Sequence, residues 1–169
     1  MINLDKLKFV LYDYDHTLCI HTYHNASDDT THEYNINVLL KGKEAWSTCK
    51  PNKHMKEFME LCKSKGIRQG LISATHSNKH GNSKNEWVLD RYGIELENFC
   101  VSTAEDKIEM MKAIADAYKY ERYEILIVDD YYATLELAAN NNFQACSPME
   151  IVNFIEEKRK KGLDTLVER

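Results

Sequence analysis

The sequence predicts an α/β fold in which helices flank a central five-stranded parallel sheet. Three observations lead there. Short apolar runs recur at Phe9–Tyr12, 67–73, 99–101, 124–128 and 143–145. Stretches with apolar residues at helical spacing stand between most of them, the alternation that βα units produce. The first run is apolar on both of its alternating faces, as a strand is when a parallel sheet buries it on both sides.

Size and composition suit one globular domain over residues 1–169, with 43% hydrophobic residues to build a core. Charged residues make up 29%, the net charge is −5 and the pI is near 5.8, so the whole chain lacks a basic nucleic-acid footprint. No apolar stretch approaches the roughly 20 residues of a membrane span, and the first residues have no signal-peptide pattern. Five cysteines, Cys19, Cys49, Cys62, Cys100 and Cys146, show no C-x-x-C spacing and read as reduced thiols of a cytoplasmic protein.

The first strand runs directly into Asp13-Tyr14-Asp15-His16-Thr17-Leu18. In an extended chain, side chains at i and i+2 point the same way, so Asp13 and Asp15 converge. Adjacent carboxylates repel unless a cation joins them or their pKa values are pushed apart. That suits a hard-cation site, or a nucleophile beside a general acid.

Residues 19–50 then form a polar, poorly periodic insert. Its His21, His24 and His32, with Asp28, Asp29 and Glu33, match no zinc spacing and read as a solvated loop. Residues 34–40 look strand-like and Lys41-Gly42-Lys43 turn-like, so a β-hairpin flap over the site is expected.

Pro51-Asn52 opens a helix whose apolar face is Met55, Phe58, Met59 and Cys62, closed at Gly66. The run 67–73 delivers a hydroxyl at its tip, Ser73 first and Thr75 second, and ligands of open α/β sheets bind outside such carboxyl ends. Residues 76–84 carry His76, Lys79, His80 and Lys84 and read as a polar loop, more a solvated face than a contact for an anionic substrate. Trp87, Val88 and Tyr92 mark a helix ending near Gly93, and 99–101 is the third strand.

Lys107 begins a helix carrying Ile108, Met111, Ala115 and Tyr118. A lysine there opposes the helix dipole unless an anion meets it. Lys112 points roughly 140° away by helix geometry. The run 124–128 ends in Asp129-Asp130, a helix around Leu135-Glu136-Leu137 follows, and 143–145 is the fifth strand. Ser147-Pro148 starts the last helix, buried through Ile151, Phe154 and Ile155, and 156–169 is of mixed charge and expected to fray.

Taken in order, D-x-D-x-T-L from Asp13, then Ser73, Lys107 and Asp129-Asp130, resemble the four motifs of the haloacid dehalogenase superfamily of phosphohydrolases. The resemblance covers residues 8–145 apart from the insert. It implies a Rossmann-like three-layer sandwich of the small capless type. Neither the 58 positions from Asp15 to Ser73 nor the 34 from Ser73 to Lys107 leave room for a large cap.

The resemblance also implies roles. Asp13 would be the nucleophile that forms an aspartyl-phosphate. Asp15 would protonate the leaving oxygen and later activate water. Mg²⁺ would be held by Asp13, the Asp15 backbone carbonyl and either Asp129 or Asp130. Ser73 and Lys107 would neutralise phosphoryl oxygens. An acid at Asp15 favours phosphate-ester hydrolysis over dehalogenase chemistry.

A capless site would suit a bulky phosphorylated substrate such as a phosphoprotein or a nucleic-acid end, or a small-molecule phosphate if a neighbouring subunit closes it. Nucleic acid enters only as substrate, and no membrane partner is implied. Two other readings stay open. A signalling receiver domain joins the same residue types, but with its acidic pair first and its lysine last. A non-catalytic binding protein would keep the fold without the chemistry.

Overall fold

The computed structural model describes residues 2–20, 46–47, 49–75 and 77–167, with side chains as far as residue 162. The first strand, β1 (Phe9–Tyr12), has all four residues buried. Two short strands, β2 (Cys19–Ile20) and β3 (Lys50–Pro51), pair antiparallel across the two ends of the insert. The rest of the predicted flap, including the strand at 34–40 and the histidine and acid cluster, lies outside the described residues.

After the insert the chain alternates. Helix α1 (Lys53–Ser64) leads to β4 (Arg68–Ala74), α2 (Asn78–Tyr92) to β5 (Glu97–Val101), and α3 (Ala104–Tyr118) to β6 (Ile125–Val128). Helix α4 (Tyr132–Asn140) then leads to β7 (Gln144–Cys146), and α5 (Pro148–Val167) closes the series. The five long-range strands form one parallel sheet in the order β5-β4-β1-β6-β7. This is the predicted α/β fold, and no large cap stands among the described residues. None of the described helices is long and apolar enough to cross a membrane.

Strand periodicity divides β1 between two cores. Val10 and Tyr12 face Met55, Phe58, Trp87 and Ile151 from α1, α2 and α5. Phe9 and Leu11 face Ile108, Met111 and Ala138 from α3 and α4. The result is three layers, with each large side chain contributing about 1.5–3 kcal/mol by leaving water. Because β1 sits between β4 and β6, the connections run outward to either side of it. That switch point is where an open sheet leaves a crevice at its carboxyl edge.

Local signals explain most boundaries. Asn52 caps α1 by accepting from the His54 and Met55 amides, so the helix starts at Lys53 and Pro51 belongs to β3. Gly66 and Gly93 follow α1 and α2 with φ of +69°, where a left-handed turn favours glycine.

Two expectations are corrected. Residues 78–84 are not a polar loop but the first two turns of α2, because Ser77 caps the helix by accepting from His80 N at 3.2 Å. The last helix does not fray at residue 156 but continues to Val167, and Arg159 clasps Glu57 of α1 and Glu156.

Gly81 lets α2 lie close on β5, since a Cβ there would run into Cys100 Sγ. Gly81→Ala is therefore expected to destabilise the protein by about 1–3 kcal/mol, despite the better helix propensity of alanine. Chemical denaturation checks this. Adding Cys100→Ala should recover most of the loss, since it removes the sulfur that the new methyl meets.

Candidate active site

The carboxyl ends of β1, β4 and β6 present the predicted aspartates and Ser73, and the start of α3 presents Lys107. The Asp13 amide donates to Val128 O at 2.9 Å, and the Asp129 amide to Cys146 O at 3.2 Å. The sheet ladder thus extends one residue past each strand and sets both aspartates at the edge. Beyond Asp13 the chain turns back on itself. Tyr14 O accepts from the Leu18 and Cys19 amides, and His16 takes a left-handed φ of 56°. Tyr92, at the end of α2, holds this turn from below: its hydroxyl donates to Leu18 O at 2.5 Å and accepts from Asn52 N at 2.9 Å.

Lys107 meets the anions its position requires. Thr103 and Asp106 form a capping box at the start of α3, leaving Lys107 one step further to reach into the crevice. Its ammonium donates to Asp13 Oδ1 at 2.6 Å and Asp129 Oδ2 at 2.7 Å, with all three side chains buried. Burial works to lower the Lys107 pKa, but the charges of Asp13 and Asp129 outweigh it and hold the ammonium above its ordinary value. Lys112 pairs instead with Glu109 on the surface.

The carboxylates are crowded. Burial pushes Asp13 up to about 7; Lys107 opposes the rise, and Asp129 and Asp15 add to it. Burial and the neighbouring Asp129 raise Asp130 as well. Asp129 has both oxygens engaged, Oδ2 by Lys107 and Oδ1 by the Tyr131 amide at 2.8 Å.

Asp13, Asp129 and Asp130 each offer a carboxylate oxygen, and the three lie within 4.8 Å of one another. An all-oxygen, strongly anionic donor set fits a hard divalent cation such as Mg²⁺ rather than zinc. The Asp15 side chain is not in that cluster.

Asp15 and Ser73 meet a residue that the sequence reading placed on a solvated face. The Lys84 ammonium donates to Asp15 Oδ2 at 2.7 Å and to Ser73 Oγ at 2.8 Å, and the residue is only 1% exposed. The signal was present but hidden by reading 76–84 as a loop. Once α2 starts at Asn78, Lys84 falls at helical spacing with Gly81, Trp87 and Val88, on the buried stripe. Ser73, 2% exposed, is the hydroxyl brought beside Asp15, while the Thr75 methyl lies toward Gly81.

Solved structures share this arrangement of strands and helices. A haloacid dehalogenase-like hydrolase from Bacteroides fragilis matches over 82% of this chain and 86% of its own, at 15% identity and a TM-score of 0.54. The chain has the haloacid dehalogenase-like fold. The cobalt-bound deoxy-D-mannose-octulosonate 8-phosphate phosphatase of Haemophilus influenzae matches over 85% and 70%, at 13% identity and a TM-score of 0.52.

A HAD family enzyme of Bacteroides thetaiotaomicron, in complex with magnesium and inorganic phosphate, matches over 83% and 93%, at 14% identity and a TM-score of 0.52. Another match is longer, and the chain spans 65% of it. No family model and no curated protein sequence matches. At such identities the haloacid dehalogenase-like fold is what these structures and this chain have in common.

Proposed function

We propose that the protein is a Mg²⁺-dependent phosphatase that hydrolyses phosphate monoesters through an aspartyl-phosphate at Asp13. The observation that carries this is the buried Lys107 bridge between Asp13 and Asp129, with Asp15 and Ser73 beside it at the same sheet edge.

Lys107 engages Asp13 Oδ1, which leaves the second oxygen to attack phosphorus. As that bond forms, the bond to the leaving oxygen breaks and Asp15 supplies its proton. Water then attacks the phosphorus and gives a proton to Asp15, and the Asp13–phosphorus bond breaks to release inorganic phosphate. Lys107 and the Ser73 hydroxyl offset charge on the phosphoryl oxygens. Asp13 and the Asp129-Asp130 pair would hold Mg²⁺, which when bound neutralises the carboxylates and the phosphoryl group together.

The fold relatives bound to magnesium and phosphate, or named as a phosphatase, favour this reading. The Asp15 side chain is 41% exposed, in keeping with an open site for a phosphorylated substrate, whether a small molecule, a phosphoprotein or a nucleic-acid end. Residues 1–169 read as one domain. None of the cysteines among the described residues is in a disulfide, which favours a reducing, cytoplasmic setting.

Hydrolysis of p-nitrophenyl phosphate with and without Mg²⁺ tests the proposal. Metal-dependent release of phosphate is expected, and no turnover of any phosphoester by folded, Mg²⁺-bound protein would sink it. Binding is testable without catalysis. Mg²⁺ at about 100 times its dissociation constant should stabilise the protein by about 2.7 kcal/mol. Thermal unfolding should show that Asp129→Asn or Asp130→Asn reduces this rise, and the variant with the larger loss marks the closer ligand.

A further inference from the structure

We infer that Lys84 is a positioning residue, which fixes the Asp15 carboxylate over the phosphate-binding corner of the site. The observations are geometric. An ammonium has three hydrogens. Those of Lys84 go to Asp15 Oδ2 at 2.7 Å, Ser73 Oγ at 2.8 Å and Ala74 O at 3.1 Å. None is left for a substrate, so Lys84 acts through the groups it holds.

Two of the three acceptors belong to β4, an interior strand paired on both sides, and they anchor the ammonium. The third is the side chain on the turn after β1. The stem runs up from the buried face of α2, and the charge lies 5.0 Å from the Tyr14 ring centroid and 5.7 Å from that of Trp46. Aromatic faces on this side favour the cation. Trp46 is itself fixed, donating from its indole to Ser83 Oγ at 3.1 Å.

The anchoring has a consequence for each partner. The Asp15 side chain is 41% exposed, and its bond to a buried, immobile ammonium favours one rotamer over the others. Ser73 Oγ accepts from Lys84, and its own hydrogen goes to Ala74 O over a long 3.4 Å, a weak bond that it can exchange for one to a phosphoryl oxygen. The Asp13 and Asp15 carboxylates are thus each tied to a separate buried lysine, Lys107 from α3 and Lys84 from α2, on opposite faces of the sheet.

The kinetic part of this inference rests on the proposed phosphatase reading, and the contact itself does not. With p-nitrophenyl phosphate and Mg²⁺, Lys84→Met should lower kcat by about 10–100-fold, the scale of a misplaced acid–base group, and change KM far less. A double-mutant cycle separates positioning from general loss of stability. If Lys84 acts through Asp15, Asp15→Asn/Lys84→Met has the kcat of Asp15→Asn to within about twofold. Losses that multiply in full, or a Lys84→Met kcat equal to wild type, overturn the inference.

A measurement independent of turnover, and of whether Lys84→Met folds, is the ¹⁵N resonance of the Lys84 ammonium. It should be slow to exchange with water in the wild type and should move on Asp15→Asn. A resonance indifferent to Asp15→Asn overturns the pairing, whatever the protein hydrolyses. A protein that shows the shift but turns over no phosphoester overturns the proposed function and keeps the pairing.

Discussion

Asp13→Asn is expected to lower phosphoester turnover by a factor of at least about 10³, on the scale of a lost nucleophile, and to leave the metal-free protein more stable than the wild type. The two effects have one cause. The site holds a carboxylate where burial, Asp129 and Asp15 all disfavour its charge, and Lys107 only partly compensates. Asparagine keeps an oxygen for Lys107 to donate to and has no charge to desolvate.

The folded state binds the Asp13 proton more tightly than the unfolded chain does, with a pKa of about 7 against an ordinary 3.8. Stability from this group is therefore present below about pH 4 and is lost as the pH rises through about 7. Across that window the wild type should fall behind Asp13→Asn by roughly 1–3 kcal/mol, and above it the gap should be constant. Urea unfolding of both proteins, free of Mg²⁺, at pH 4.5, 6 and 8 checks this. A gap that closes with rising pH would contradict it.

Lys107→Met carries the second large effect, and here activity and stability fall together. The ammonium is the partner of both Asp13 and Asp129, and removing it leaves two buried carboxylates facing each other. Breaking such a pair typically costs about 3–5 kcal/mol. The loss should be smaller near pH 5 than near pH 8, because without the lysine Asp13 takes up a proton still more readily and sheds its charge. Turnover should drop by about 10²–10³, since the same ammonium would face the phosphoryl oxygens. Mg²⁺ should restore part of the stability of Lys107→Met but little of its activity. Equal destabilisation at both pH values would show that Lys107 contributes packing rather than charge.

The parts legible in the sequence were those that follow from short-range rules. Apolar runs at Phe9–Tyr12 and Ile125–Val128 read as buried strands because both faces are apolar, and each has all four residues buried. Lys107 stood out by its place in the series, between Ser73 and Asp129-Asp130, and the structure brings it the anions that a cation at a helix start needs, Asp13 and Asp129.

Lys84 did not stand out. Its type marks it as a surface residue, and only the helical register with Gly81, Trp87 and Val88 reveals that it is buried. That register depends on where α2 begins, which Ser77 sets with a single hydrogen bond. The separate partners of Asp13 and Asp15 were equally out of reach: the chain turns after Asp13, and each carboxylate meets its own lysine from a different helix.

In the proposed mechanism the phosphoryl group passes through Asp13. The most direct test is to quench the protein with acid during turnover of a radiolabelled phosphoester in Mg²⁺ and to map the label by mass spectrometry. A phosphoryl group on the Asp13 peptide, present during turnover and gone once substrate is exhausted, is the predicted result. Release of inorganic phosphate with no label ever on Asp13 would contradict it.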